Sequence, residues 1–308
     1  MTISPSKKVS VVVPNYNYAR YLKKRIDSIL RQTYPIYELI ILDDASTDGS
    51  VEEILRVLEK HNLKLEEDKT VNNRGEKKYK GGNENFKVRL VVNEKNSGKA
   101  MAQWKKGFEL AEGDYVWIAE ADDLCSRQFL TEAMKGFRDP EVVLSYTESA
   151  IINSAGFLIA PNFRWSRDKE KTGHYKVNYV KGGRTEIKEI MAVRCTIPNV
   201  SAVVFKKKEI FLEYLEESLK FNQVGDWYFY LRVLENGKIS YNRKALNRFR
   251  VHGSSKTSQS KKDWWHYQEI MDMHKMLAVR YNLTEPVVRW MKNEEERVRS
   301  RMERNKNK

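Results

Sequence analysis

Four short runs limit the folds open to this chain more than anything else in it: VSVVV at 9–13, ELIIL at 38–42, VRLVV at 88–92 and YVWIA at 115–119. Each is apolar almost without a break, as a strand must be when both of its faces are covered. Between the first two, Tyr21, Leu22, Ile26, Ile29 and Leu30 recur at helical spacing. Residues 50–60 and 99–111 read as two further helices. Strands that alternate with helices in this way predict an α/β fold with a mostly parallel central sheet and helical crossovers. Ligands of such sheets bind beyond the carboxyl ends of the strands.

The polar clusters of the first half lie at those ends. The first strand runs into PNYNYARY, with Pro14, Asn15 and Tyr16, and the second into DDASTDGS, with Asp43, Asp44 and Asp48. The third leads to NEKNSGKA, with Ser97, Gly98 and Lys99, and the fourth to EADD, with Glu120, Asp122 and Asp123. Singly, each has a plain structural explanation, since Asp48 and Ser50 suit helix caps and Asn-Ser-Gly suits a turn. Together they set carboxylates, an aromatic ring, a lysine and a helix N-terminus along one edge. Carboxylates can accept from a base N–H or ribose hydroxyls, and hard oxygen ligands hold Mg2+ or Mn2+ while substrate phosphates fill the remaining positions. Lys99 and a helix N-terminus favour the phosphates. Crowded acids at a strand end become reasonable once a divalent ion shares their charge.

The rest of the chain is less regular. Residues 62–87 are rich in Lys, Glu, Asn and Gly and read as a mobile insertion. Residues 142–159 suggest a strand and hairpin turning at 153–156, 199–205 a strand, 226–237 a short helix and 244–252 a late strand. Two amphipathic helices follow from Trp264, separated near Pro286, and the chain ends in the basic RVRSRMERNKNK. In its 308 residues no run approaches the roughly 18 apolar positions of a membrane helix, and the leading apolar run is too short for a secretory signal, so a cytoplasmic protein is expected. Cys125 and Cys195 show neither metal-binding spacing nor a disulfide framework. The formal charge of +14 points to acidic partners or to a lysine-rich solvated surface.

In order along the chain, VSVVVPNYN, ELIILDDASTDGS, NSGKAMAQWKKGFELAEGDYVWIAEADD and GDWYFYLRV resemble the motifs of family 2 glycosyltransferases, over roughly residues 8–258. The resemblance implies a GT-A fold with a nucleotide-sugar half at about 8–125, an acceptor half at about 126–258 and a helical basic extension at 259–308. It implies a transfer from a nucleotide-diphosphate sugar, UDP by default, to a hydroxyl of a glycan, lipid-linked or cell-surface polymer acceptor. By the same resemblance Pro14, Asn15, Tyr16 and Asp44 hold the base, with Ser97, Gly98, Lys99, Trp227 and Arg250 as further substrate contacts. Asp122 sits at the ribose and metal side, Asp123 is the principal metal ligand, and His252 helps close the metal or phosphate site. Glu120 stands where the family's pattern begins with Asp. Asp226 matches the catalytic base, a position that equally suits an N-cap.

An inverting transfer needs such a base to deprotonate the acceptor hydroxyl, while the metal neutralises the leaving diphosphate. The glutamine-x-x-arginine-tryptophan motif of processive relatives is not matched, because PVVRW at 286–290 carries proline in place of the glutamine. A nicotinamide dehydrogenase is disfavoured for want of G-x-G-x-x-G after the first strand. The remaining alternatives are a sugar-1-phosphate nucleotidyltransferase, and a binding protein for nucleic acid or anionic polymer, although no nucleic acid is expected. Trp264, Trp265 and the basic tail suggest peripheral docking on an anionic membrane or polymer, or packing against the domain or a second subunit.

Overall fold

The computed structural model describes residues 7–68, 76–83, 86–163, 173–253 and 264–306. Its centre is four parallel strands in the order β6 (Tyr115–Ile118), β1 (Val9–Asn15), β2 (Glu38–Asp43) and β5 (Phe86–Asn93). All four expected strands are present. Their side chains alternate between two apolar layers, as the pleat requires. Val11, Val13, Leu39 and Ile41 face α1 (Ala19–Leu30) and α2 (Ser50–Lys60) on one side. Val12, Ile40 and Leu42 face α3 (Ala100–Leu110) on the other. All of these strand residues are fully buried, and the polar residues within the runs are paired with one another, Ser10 and Arg89 both with Glu38.

Outside the four central strands the sheet is mixed. Beyond β6 it continues through β11 (Val203–Lys206), β8 (Val142–Ile152), β12 (Lys238–Arg250) and β10 (Tyr179–Gly182). Here β11 is antiparallel to both neighbours, whereas β8 and β12 run parallel through repeated register shifts. The short β7 (Leu124–Cys125) pairs with β12, and β9 (Leu158–Ala160) folds back on β8 as the expected hairpin. Two expectations need correction. Residues 62–87 are not a structureless insertion among the residues described there. β3 (Leu65–Glu67) and β4 (Glu76–Asn83) form an antiparallel ribbon that extends the sheet from β5. Main-chain pairing carries that ribbon, so its polar composition does not betray it. Residues 199–205 are a strand only from Val203, because Asn199 caps a 3-10 turn at Val200–Ala202.

Helices α4 (Phe129–Met134), α5 (Gly183–Glu186, continued by a π turn), α6 (Ile210–Ser218) and α7 (Gly225–Leu234) follow β7 and precede β12. The two C-terminal helices are α8 (Trp264–Tyr281) and α9 (Glu285–Lys306). Ile270, Met273, Leu277 and Met291 from these helices join the same apolar cluster as Trp227 and Leu231 of α7. These two helices therefore pack against α7 and leave Trp265 75% exposed. No described helix is long and apolar enough to cross a membrane.

α3 approaches β1 closely at Gly107, where an added methyl would meet Val12 Cγ1 at 2.4 Å. Gly107→Ala is expected to destabilise the fold by about 1–3 kcal/mol through overpacking. An unchanged urea midpoint would mean that the helix and strand do not meet at that distance.

Candidate active site

The ends of the parallel strands open on a cavity of about 690 Å3. Its walls include Pro14, Asn15, Tyr16, Asp44, Gly98, Lys99, Asp122, Asp123 and Arg250, which the sequence separates by more than 230 positions. Tyr16 is 46% exposed at the wall, a ring free to pack on a planar ligand.

The loops after β1 and β2 hold each other. Asn15 Nδ2 donates to Asp43 Oδ2 (2.7 Å) and Ser46 Oγ (3.2 Å), and Asn17 Oδ1 accepts from the Thr47 amide (2.8 Å). Asp48 accepts from Ala19 N at the start of α1 and from Ser50 N at the start of α2. It links the starts of both helices from just before the N-cap of α2, which is Gly49 and not Asp48 or Ser50. Asp44 is held by three other residues. Its carboxylate accepts from Asn93 Nδ2 (2.7 Å), Ser97 N (2.9 Å), Ser97 Oγ (2.7 Å) and Gln103 Nε2 (2.9 Å). Ser97 thus stands behind the cavity as a brace for Asp44. Gly98 adopts φ +74°, the left-handed region glycine favours, and opens the turn into α3. The Lys99 ammonium lines the cavity but donates to the Leu219 carbonyl at the end of α6.

The acid loop follows β6. Asp123 is 2% exposed and accepts from the Arg250 amide (2.8 Å). Burial first, then the neighbouring Asp122 charge, pushes its carboxyl above the ordinary carboxylate range, while Arg25 pulls the other way. Glu120 accepts from the Trp104 indole N–H (2.7 Å) and is pushed up to about 8, chiefly by burial and then by Asp122. Asp122 Oδ2 pairs with His252 Nε2 (2.9 Å), and the His252 ring packs against Tyr18 and Tyr21. Arg250, 2% exposed, stacks over Tyr21, donates to the Asp122 carbonyl and reaches the carbonyls of Asn153 and Ser154 at 3.0 Å. It ties the β8–β9 turn to the acid loop.

Among the described residues no three His, Cys, Asp or Glu side chains form a closed metal cage. The donors fit an ion of another kind. Mg2+ and Mn2+ bind through one or two carboxylates and leave positions to substrate oxygens. Asp123 and Asp122 supply such carboxylates, and their mutual repulsion is what a cation would relieve.

Asp226 and Trp227 are not among the cavity's lining residues. Trp227 is 4% exposed, donates its indole N–H to the Met191 carbonyl and belongs to the core. Asp226 sits in the first turn of α7, where Oδ1 accepts from the Trp227 amide (2.7 Å) and burial pushes the carboxyl up to about 6. Tyr230, one turn later, is within electrostatic reach of both Asp226 and Glu120. Sequence reasoning passed over Gln103 and Trp104, which brace Asp44 and Glu120 from α3. Their four-residue spacing from Lys99 and Ala100 along one helix was the available signal. It also passed over Arg25, whose fully buried guanidinium lies 5.2 Å over the Trp117 ring behind the acids.

A raised carboxylate costs stability where it is ionised. Asp226 binds a proton below about 6 when folded and near 3.8 otherwise, so its cost appears as pH rises between those values. Asp226→Asn should therefore be more stable than the parent by roughly 1 kcal/mol at pH 8. The gap should close at pH 4; equal melting temperatures at both pH values would show that the side chain is solvated.

Comparison with known proteins agrees with the geometry. The glycosyl transferase family 2 model matches residues 10–188. TuaG of Bacillus subtilis, provisionally named a teichuronic acid biosynthesis glycosyltransferase, is 25% identical over 88% of this chain and 91% of its own. TarP of Staphylococcus aureus, a poly(ribitol-phosphate) beta-N-acetylglucosaminyltransferase, is 34% identical over 41% of this chain, an alignment that spans 32% of TarP. The S. aureus TarS structure in complex with UDP-GlcNAc superposes with a TM-score of 0.59 at 17% identity, covering 91% of this chain and 69% of that one. The mannosyltransferase PcManGT of Pyrobaculum calidifontis, in complex with GDP-Man and Mn2+, gives 0.55 at 20% identity over 91% and 65%. These likenesses are of fold, and that fold is GT-A. On the family match, the chain belongs to glycosyl transferase family 2.

Proposed function

We propose that this transferase moves a sugar from a nucleotide-diphosphate donor, a UDP-sugar foremost, to a hydroxyl of an anionic cell-surface polymer or its precursor. The observation that carries this reading is the single cavity uniting the Tyr16 ring, Asp44, the Gly98-opened helix start and the acid pair Asp122–Asp123. Relatives named for teichuronic acid and poly(ribitol-phosphate), both anionic polymers, support the acceptor class. The charge of +14 suits such an acceptor by simple complementarity. UDP-GlcNAc on TarS supports the donor.

In this reading Tyr16 packs on the base and the end of β1 at Asn15 shapes its slot. Asp44, fixed by Ser97 and Gln103, presents its carboxylate to base or ribose donors. Lys99, drawn from the Leu219 carbonyl, and the first amides of α3 attract the diphosphate. Asp123 and Asp122 would hold Mn2+ or Mg2+, which when bound neutralises charge on the leaving diphosphate. His252, two residues past β12, and Arg250 at its end hold Asp122 and Asp123 in place. Asp226 takes the acceptor's hydroxyl proton as its oxygen attacks the anomeric carbon, giving inversion in one displacement. A base buried enough to sit near 6 keeps affinity for that proton and is still ionised at neutral pH.

Incubation with a panel of sugar nucleotides, Mn2+ and teichuronic or teichoic polymers tests the reading. Asp226→Asn is expected to lose at least about 1,000-fold in kcat, with UDP and Mn2+ binding within twofold of the parent. Near-normal turnover of that variant would remove the base assignment. For the parent, kcat should fall as pH drops through about 6, where Asp226 gains its proton and can no longer accept one. A flat profile from pH 5 to 8 would contradict that role.

A further inference from the structure

Inside the first turn of α7, Asp226 Oδ1 takes the Trp227 amide. The N-cap residue of the helix is Val224, whose side chain has no oxygen to offer. The amides that lead into the helix find their acceptor elsewhere in the chain. Glu269, in α8, turns its carboxylate onto three successive main-chain amides just before α7: Asn222 N at 2.7 Å, Gln223 N at 2.8 Å and Val224 N at 3.3 Å. A negative charge on these donors also opposes the positive end of the helix dipole. The far end of α7 is held by the same helix. Arg280 donates to both carboxylate oxygens of Glu235 (2.6 and 2.8 Å), and Tyr281 adds a third bond at 2.6 Å. α8 therefore grips α7 at both termini, and two residues beyond the Glu269 grip stands Asp226.

We infer that Glu269 is a positioning residue for the transfer, supplying from the C-terminal extension the anchor that fixes the segment entering α7 and hence the placement of the Asp226 carboxylate. The inference rests on the reading of Asp226 as the base. On the opposite side, Lys99 binds the Leu219 carbonyl at the start of the same connecting segment. The six residues 219–224 are thus held between a donor-side lysine and an extension-side glutamate. The extension is part of the catalytic unit, and its helix does more than cover apolar surface.

The test uses the full chain, with Glu269→Gln and Glu269→Ala measured beside the parent. Gln keeps the shape but loses the charge and one acceptor oxygen, so both variants should lower kcat by about 10- to 100-fold, the scale of a misdirected catalytic group. The dissociation constant for UDP with Mn2+ should stay within twofold. The acid limb of the kcat profile should move below about 6 as water reaches a loosened Asp226. Tyr230, which lies within electrostatic reach of Asp226 and also of Cys195 and Glu120, belongs to α7 itself, and none of these groups is touched by the substitution. Hydrogen exchange at amides 222–227 should rise.

Parental turnover with a parental acid limb would overturn the inference, whatever the exchange shows. So would loss of UDP binding in proportion to turnover, since that marks a general scaffold defect. If Asp226→Asn retains activity, the base reading itself has failed. If Asp226→Asn is inactive while both Glu269 variants are parental, only the positioning role has failed.

Discussion

Everything at the site depends on the four central strands being apolar on both faces. A strand with helices on each side admits a charge along its length only where it is paired, as Arg89 of β5 is with Glu38 of β2, so most polar groups collect where it ends. With neighbouring strands about 4.8 Å apart, four such ends lie within about 15 Å of one another. The order β6-β1-β2-β5 then sets the acid loop beside the Asn15–Tyr16 loop, that loop beside Asp44, and Asp44 beside the turn into α3. Because these strands run parallel, their carboxyl ends share one edge. Four clusters far apart in the chain become one cavity for that reason.

The same arrangement stores electrostatic cost. Glu120 is pushed up to about 8 and Asp226 to about 6, in each case chiefly by burial, and Asp123 is raised as well. Groups raised in this way favour the folded state less as pH climbs through their folded values. The surrounding polar grid contains the cost. Trp104 holds Glu120, the Arg250 amide holds Asp123, His252 holds Asp122, and Arg25 lies buried behind them. Such a cluster is tolerated because three elements distant in sequence converge to orient it, which is also what a preorganised charged site requires.

Legibility tracked locality. The runs at 9–13, 38–42 and 115–119 declared their strands because burial on both faces leaves a continuous apolar imprint. α2, at Ser50–Lys60, declared its ends as well as its middle. Residues 76–83 gave no such imprint, since β4 is held through its main chain, exposes Lys80 and pairs Glu76 with Lys106 of α3. The bulged pairing of β8 with β12 was equally hidden, because register shifts break the alternation a reader looks for. At the site, the residue types at strand ends were readable, but their partners were not. Nothing in the string places Arg250 on the carbonyls of Asn153 and Ser154, or Lys99 on Leu219. Glu269 was least visible of all, since it acts on main-chain amides, which every residue but proline owns.

The β3–β4 ribbon has a further bearing. A parallel sheet that stopped at β5 would offer a long, flat, sticky border to any other unfolded chain nearby. Here that border is occupied by EKKYKGGN, with its lysines, and the outermost strand is only three residues long. A border so short and so charged gives a stray strand little to zip onto. In the segment that looks most dispensable for catalysis, that brevity and charge disfavour edge-to-edge association of the sheet.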